Sequence, residues 1–207
     1  MFVDRVEAAR RLAEALLGYR GEHPLVLAIP RGAVPMAKLI AADLGGEVDV
    51  VLVRKLPAPG NPEFAIGAVD ETGWTYLADH ARRLDIDESY IDDERAAQVA
   101  LMARRRAQYT PVRPPIDPAG RIVIVVDDGL ATGSTMIAAL HAIRAKTPRK
   151  LICAVPVAPP DTAARVRDFC DELVCLETPV DFYAVGQFYR SFPQVGDDEV
   201  IALLAGD

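Results

Sequence analysis

Residues 122–135 read IVIVVDDGLATGST, from Ile122 to Thr135. The five β-branched residues Ile122–Val126 predict a strand buried on both faces, the kind found in a parallel sheet covered by helices. Asp127 and Asp128 follow at once, and two charges do not end a buried strand without partners. The turn Gly129-Leu130-Ala131-Thr132-Gly133-Ser134-Thr135 comes next and leads into a helix predicted over Thr135–Ala145. Its glycines allow positive φ and close backbone approach, while Thr132, Ser134 and Thr135 add hydroxyls to the free amides of a helix start. In outline this is a cradle for a phosphate monoester. The carboxylates before it would repel a phosphate unless they engage something else. Sugar hydroxyls or a hydrated Mg2+ are their natural partners.

Outward from this stretch the chain alternates strands and helices. Asp4 and Glu7 open a first helix in the manner of a capping box, with Val6, Ala9, Leu12, Ala13 and Leu16 at helical spacing until Gly18. A strand at Leu25–Ile29 leads through Pro30-Arg31-Gly32-Ala33 into a helix over Val34–Leu44, ended by Gly45-Gly46. A second strand at Val48–Val53 runs into Arg54-Lys55. Beyond the phosphate-like loop come a strand at Leu151–Val157, a helix near Thr162–Phe169 and a strand at Leu173–Leu176. The fold class this pattern predicts is α/β, doubly wound around a mostly parallel sheet, as one domain over 1–207. An insertion at about 56–118 interrupts it. There Leu56–Glu63 reads as a Pro/Gly loop, Phe64–Asp70 and Trp74–Leu77 as a hairpin, Asp87–Gln108 as a polar helix and Pro111–Pro118 as a linker. An aromatic segment at Val180–Phe192 and a short helix at Asp197–Ala205 form an expected C-terminal lid, about 180–207.

Composition narrows the function. A formal net charge of −7 argues against a general nucleic-acid binder, which needs a basic surface to release counterions. No apolar run approaches the length of a membrane span, and Met1–Glu7 lacks the apolar core of a signal peptide, so a cytoplasmic location is expected. Cys153, Cys170 and Cys175 have no C-x-x-C spacing and read as reduced, buried small hydrophobes. Other nucleotide motifs fail on spacing. A P-loop requires G-x-x-x-x-G-K-[ST], a dinucleotide site G-x-G-x-x-G and a hydrolase elbow G-x-S-x-G, and none is present. A receiver-type acid cluster would follow the first strand of the sheet. For Arg104-Arg105-Arg106 the expectation is a solvated helix C-terminus, and for His23, His80 and His141 a structural or exposed place.

The run Val125 to Thr135, Val-Val-Asp-Asp-x-x-Ala-Thr-Gly-x-Thr, resembles the phosphoribosyl-pyrophosphate (PRPP) signature of type I phosphoribosyltransferases. The resemblance implies that Asp127 and Asp128 bind the ribose hydroxyls, directly or through Mg2+, and that Gly129–Thr135 hold the 5′-phosphate. It extends to Pro30-Arg31-Gly32-Ala33, similar to the family's short pyrophosphate loop, and to Arg54-Lys55, similar to its second basic contact. The implied catalytic set is Arg31, Lys55, Asp127 and Asp128, with Gly32 and Arg54 among the substrate contacts and Leu56–Glu63 as a mobile flap. The implied cofactor is Mg2+, and the partners are PRPP and an unidentified base or amine, with dimers common in the family. One departure matters. Where 6-oxopurine enzymes carry an acid in the loop, this chain has Ala131, so their way of helping the base's proton leave is absent. A PRPP- or nucleotide-sensing module of the same fold, doing no chemistry, stands as the alternative.

Overall fold

The computed structural model describes residues 1–206, with Glu63 and Arg82 described by backbone alone. At its centre β1 (Leu25–Ala28), β2 (Glu47–Val50), β6 (Ile122–Val126), β7 (Lys150–Val157) and β8 (Glu172–Glu177) form one sheet in the order β2-β1-β6-β7-β8. Every neighbouring pair in it is parallel. Every residue of β1 and β6 is buried, because helices cover both faces of the sheet. On one face α1 (Arg5–Ala15) and α2 (Val34–Leu44) cover Val26, Ile124 and Ile152, with α6 (Asp197–Ala205) packed outside on α2. On the other, α4 (Ser134–Arg144) and α5 (Pro160–Arg167) cover Leu27, Val125 and Cys153. Truncating a central residue such as Ile124, which is fully buried, is expected to cost about 2–5 kcal/mol.

The strand order sets the position of a ligand site. The chain winds outwards from β1 in one direction to β2 and in the other to β6, so the loops after β1 and β6 diverge and leave a crevice. Residues 29–33 and 127–133 line it.

The insertion is structured more fully than its composition suggests. β3 (Val53–Ala58), β4 (Asn61–Asp70) and β5 (Thr75–Leu77) make an antiparallel sheet in that order. The expected loop over Leu56–Glu63 is therefore two strand ends around Pro59-Gly60, with Gly60 at φ +72°. Pro57 is tolerated because the register shifts on both sides of it, at a point where its missing N–H costs no ladder bond. The expected strand Val48–Val53 divides in two. Val51 N–H makes a last bond to the Ala28 carbonyl (3.0 Å), after which the chain leaves the parallel sheet and Val53 starts β3. Arg54-Lys55 thus belong to the inserted sheet. The β4–β5 turn is closed by Asp70, whose Oδ1 accepts from Thr72 N–H (2.8 Å) and Trp74 N–H (3.1 Å). Trp74 in turn stacks on His141 of α4 at 3.6 Å between centroids, which seats the hairpin on that helix.

Two further expectations change. α3 (Glu88–Tyr109) carries the three arginines, but only Arg104 is exposed. The Arg106 guanidinium donates to both oxygens of Glu71 (3.0 and 2.7 Å) and ties α3 to the β4–β5 turn, while Arg105 turns towards the crevice. Among the cysteines only Cys153 is buried; Cys170 and Cys175 are half-buried at the sheet edge, and all three are free thiols.

Candidate active site

The crevice holds three adjoining hollows. The first, about 360 Å³, is lined by Asp127, Asp128, the loop Gly129–Gly133, Thr135 and Lys55. The second, about 430 Å³, shares Lys55 and Thr135 with it and adds Pro30, Arg54 and Arg105. The third, about 460 Å³, continues past Arg54 and Arg105 to Arg31, Gly32, Arg5 and Asp128. A trough results, with a small-residue loop at one end, two carboxylates in the middle and basic side chains at the other end.

The loop is shaped by its glycines. Gly133 caps α4 at φ +77°, and a Cβ there would lie 2.9 Å from Thr162 Cγ2. Gly133 has no side chain to cap α4; the Ser134 N–H turns back to Thr132 Oγ1 (3.4 Å), and the amides after it lie at the positive end of the helix dipole. From behind, Thr162 donates to the Ala131 carbonyl (2.8 Å) and Arg165 to the Thr132 carbonyl (3.1 Å). These bonds engage the Ala131 and Thr132 carbonyls from the α5 side, while the Leu130 N–H donates to the Val157 carbonyl (2.9 Å). Ser134 is buried, and its hydroxyl accepts from Thr132, so within the loop it is an internal brace and does not line the cleft.

The two acids differ in their surroundings. Asp127 Oδ1 accepts from the Asp128 N–H (2.9 Å). Burial first, and then the neighbouring Asp128 charge, pushes the Asp127 carboxyl well above the usual range; Lys55 and Arg5 offset this in part. Asp128 is also raised, mainly by burial, but Arg5 opposes the shift. Arg5 Nε and Nη2 donate to Asp128 Oδ2 at 3.0 and 2.8 Å, and the pair is almost withdrawn from solvent. The same guanidinium donates to the Pro193 carbonyl (2.6 Å) and lies 3.8 Å from the Phe192 ring centre. The Tyr189 hydroxyl donates to the Asp128 carbonyl at 2.6 Å, and burial raises its own pKa strongly. Residues 189–193 therefore hold the second carboxylate in place.

At the basic end, Gly32 is required by its neighbours, since a Cβ there would lie 2.2 Å from Asp128 Oδ2. Arg54 and Arg105 face one another, and burial together with the Arg105 charge lowers the Arg54 pKa. Arg54 Nε donates to Gln98 of α3. Arg31 pairs with Asp197 at the start of α6 (3.4 Å), a carboxylate that also takes Arg105 Nε (3.6 Å) and the Tyr109 hydroxyl (3.2 Å). An unpaired anion is what such a cluster would attract.

The structure thus brings Lys55, Asp127, Asp128, Gly129–Gly133 and Thr135 to one cleft, with Arg31, Gly32 and Arg54 in the adjoining hollow. Sequence reasoning missed Arg5 and Arg105, which come from distant helices, and Phe64, His80 and Val185, which close the first hollow from the inserted sheet and the C-terminal segment. Arg5 stands in an ordinary amphipathic helix start, 123 residues from its partner, and carries no local signal.

Could the acids hold Mg2+? Among the described residues no group of three or more His, Cys, Asp or Glu side chains is placed to hold a metal. One or two carboxylates do suit Mg2+ when phosphate oxygens and water complete its shell, and Asp127 is the carboxylate not engaged by Arg5. The residues fit a metal that arrives with a phosphorylated ligand. Among the described residues no helix is long and apolar enough to cross a membrane.

The chain is similar to known proteins along nearly its whole length. It is 47% identical to TT1426 from Thermus thermophilus, whose crystal structure superposes with a TM-score of 0.82 over 99% of this chain and 97% of that one. A purine phosphoribosyltransferase from Pyrococcus horikoshii shares the fold at a TM-score of 0.52 and 15% identity, covering 93% of each chain. The Mycobacterium tuberculosis (H37Rv) protein named "Putative phosphoribosyl transferase Rv0571c" is 43% identical over 205 residues, 99% of this chain. That alignment takes in 46% of the relative, so the chain spans about half the length of the curated proteins it matches. The family model for the phosphoribosyl transferase domain matches residues 3–191, and with the parallel sheet and the crevice it makes this chain a member of the phosphoribosyltransferase family.

Proposed function

We propose that the protein transfers the 5-phosphoribosyl group of PRPP to a nitrogen nucleophile and releases pyrophosphate. The observation that carries this reading is the order of chemistry along the trough, from the small, hydroxylated loop at the start of α4 to paired carboxylates to arginines. A molecule with a phosphate, a ribose and a diphosphate in sequence fits that order. Residues 131–135 would take the 5′-phosphate through backbone amides and the hydroxyls of Thr132 and Thr135. Asp127 and Asp128 would accept from the ribose hydroxyls, with Arg5 holding Asp128 ionised and oriented. Arg31, Arg54, Arg105 and Lys55 would surround the leaving diphosphate, with the Gly32 backbone close against it.

The chemistry asked of these side chains is positioning and charge stabilisation. No covalent nucleophile is needed: as the C1′–O bond breaks, positive charge develops on the ring and negative charge on the diphosphate. Mg2+, held by Asp127 and substrate oxygens, would supply further neutralisation of the diphosphate. The segment 180–196, which places Val185 against Gly129 and Tyr189 against Asp128, would serve as the lid.

The test is pyrophosphate release from PRPP and Mg2+ in the presence of adenine, orotate, xanthine, uracil or a simple amine, each separately, with PRPP binding followed by calorimetry. Release with at least one acceptor, lost in Asp127→Asn with the fold retained by circular dichroism, is the expected result. PRPP binding without turnover on any acceptor would favour the sensor, and no binding of PRPP or of a nucleoside monophosphate would remove both readings.

A further inference from the structure

A neutral nitrogen nucleophile must lose its proton when it bonds to C1′, and the first hollow contains few groups able to take it. Its titratable side chains are Lys55, Asp127, Asp128 and His80. Lys55 is a cation, and the two aspartates are engaged by the ribose in the proposed function, Asp128 by Arg5 as well. Ala131, on the loop itself, has no proton acceptor to offer. His80 remains.

The histidine is held in a useful form. It follows β5, and its Nε2 lies 3.0 Å from the Ala65 carbonyl of β4. A carbonyl can only accept, so in the neutral imidazole Nε2 carries the proton and the lone pair lies on Nδ1. Beside it lies Phe64, ring centres 5.1 Å apart and tilted by 55°, with 44% of Phe64 exposed. An apolar aromatic face beside an imidazole, in the hollow that the loop Gly129–Gly133 also lines, matches a planar heterocycle with an N–H.

We propose that His80 Nδ1 is the general base of the transfer and that Phe64 forms the wall on which a planar heterocyclic acceptor lies. This rests on the transferase reading of the same site. In the step, the acceptor nitrogen forms its bond to C1′, the C1′–O bond breaks with its electron pair leaving on pyrophosphate, and the acceptor's proton passes to Nδ1.

The experiment uses the full chain with Mg2+, PRPP and the base, among adenine, orotate, xanthine and uracil, that the wild type turns over. His80→Ala is expected to lower kcat by about 10²–10⁴-fold, with the PRPP Kd within about threefold of wild type. Imidazole added to His80→Ala should restore part of the rate. His80→Gln, which keeps a donor for the Ala65 carbonyl but has no basic nitrogen, should stay as slow as His80→Ala. Phe64→Ala should raise the acceptor KM more than it lowers kcat. A His80→Gln enzyme near wild-type rate, or no response to imidazole, assigns His80 a structural role and overturns the proposal. PRPP affinity falling in step with kcat would place His80 on PRPP and overturn it too. If the wild type releases pyrophosphate with none of the bases, the transferase reading itself fails, and the role of His80 with it.

Discussion

Arg5→Ala tests the contact on which the candidate site depends most. Arg5 and Asp128 are 11% and 16% exposed, so the pair is screened little by solvent. Removing one partner of a pair this withdrawn leaves a buried charge uncompensated, at about 3–5 kcal/mol. The lost cation–π contact with Phe192, at 3.8 Å, adds roughly 0.5–1 kcal/mol. A working value is therefore about 4 kcal/mol, or a melting temperature lower by roughly 8–16 °C for a chain of this size. The loss should also depend on pH. Burial already raises the Asp128 carboxyl and Arg5 holds it down, so without Arg5 it rises further. A native carboxyl raised above its unfolded value binds protons that the unfolded chain has released, so stability is present below the unfolded pKa and lost as pH rises through the native one. The deficit of Arg5→Ala should accordingly be larger at about pH 7.5 than at about pH 4. Urea unfolding at both values, with Arg5→Ala, Asp128→Asn and the double variant, measures it. The cycle should return a coupling of about 2 kcal/mol or more at neutral pH. A single-variant cost below about 1 kcal/mol, or a deficit unchanged between the two pH values, would refute the assignment of Arg5 as the counter-ion of Asp128.

Asp127→Asn should abolish turnover and yet stabilise the fold near neutrality. Its carboxyl is raised by burial and by Asp128, so in the wild type stability declines as pH climbs from the unfolded carboxylate range through the raised native pKa, and thermal melts of the variant should show a shallower decline. A variant less stable than wild type at about pH 7.5 would contradict the buried, like-charged placement. Gly133→Ala combines a left-handed backbone at φ +77° with a Cβ 2.9 Å from Thr162 Cγ2, and should cost about 2–4 kcal/mol in urea unfolding. It should also weaken PRPP binding in calorimetry, since the first amides of α4 would be displaced; an unchanged Kd would separate that helix from phosphate binding.

What can be read from the residues alone divides along the range of the interactions involved. β1 and β6 are runs of apolar residues whose burial on both faces is a local property, so their place in a parallel sheet is plain. The loop after β6 is equally plain, because glycine spacing and hydroxyls within seven residues define it. β3 is hidden because Pro57 and Pro59 mimic a loop, and only the register shift at Pro57 shows how a strand accommodates them. Arg106 is misplaced for a related reason: a basic residue near a helix end looks solvated until Glu71, 35 residues away, is folded onto it. Arg5 and His80 are unreadable as site residues, since what makes them functional is a partner supplied by another element and no periodic or spaced signal marks them.

The same contrast bears on how the site is kept intact. Gly32 belongs to the loop after β1, Asp128 to the loop after β6, and Arg5 to α1, yet a methyl group on Gly32 would meet Asp128 Oδ2 at 2.2 Å and Arg5 Nη2 at 3.0 Å. Three elements distant in sequence therefore share a contact with no room for one carbon atom. Tyr189 and the Pro193 carbonyl close it from the C-terminal segment. Since interiors yield to overpacking by shifting backbone rather than by compressing, a larger side chain at Gly32 moves the loop after β1 and the carboxylates after β6 together. A buried, mutually repelling pair of carboxylates is costly to fold. Arg5, from the first helix, offsets part of that cost at Asp128 only once α1 has docked on the loop after β6.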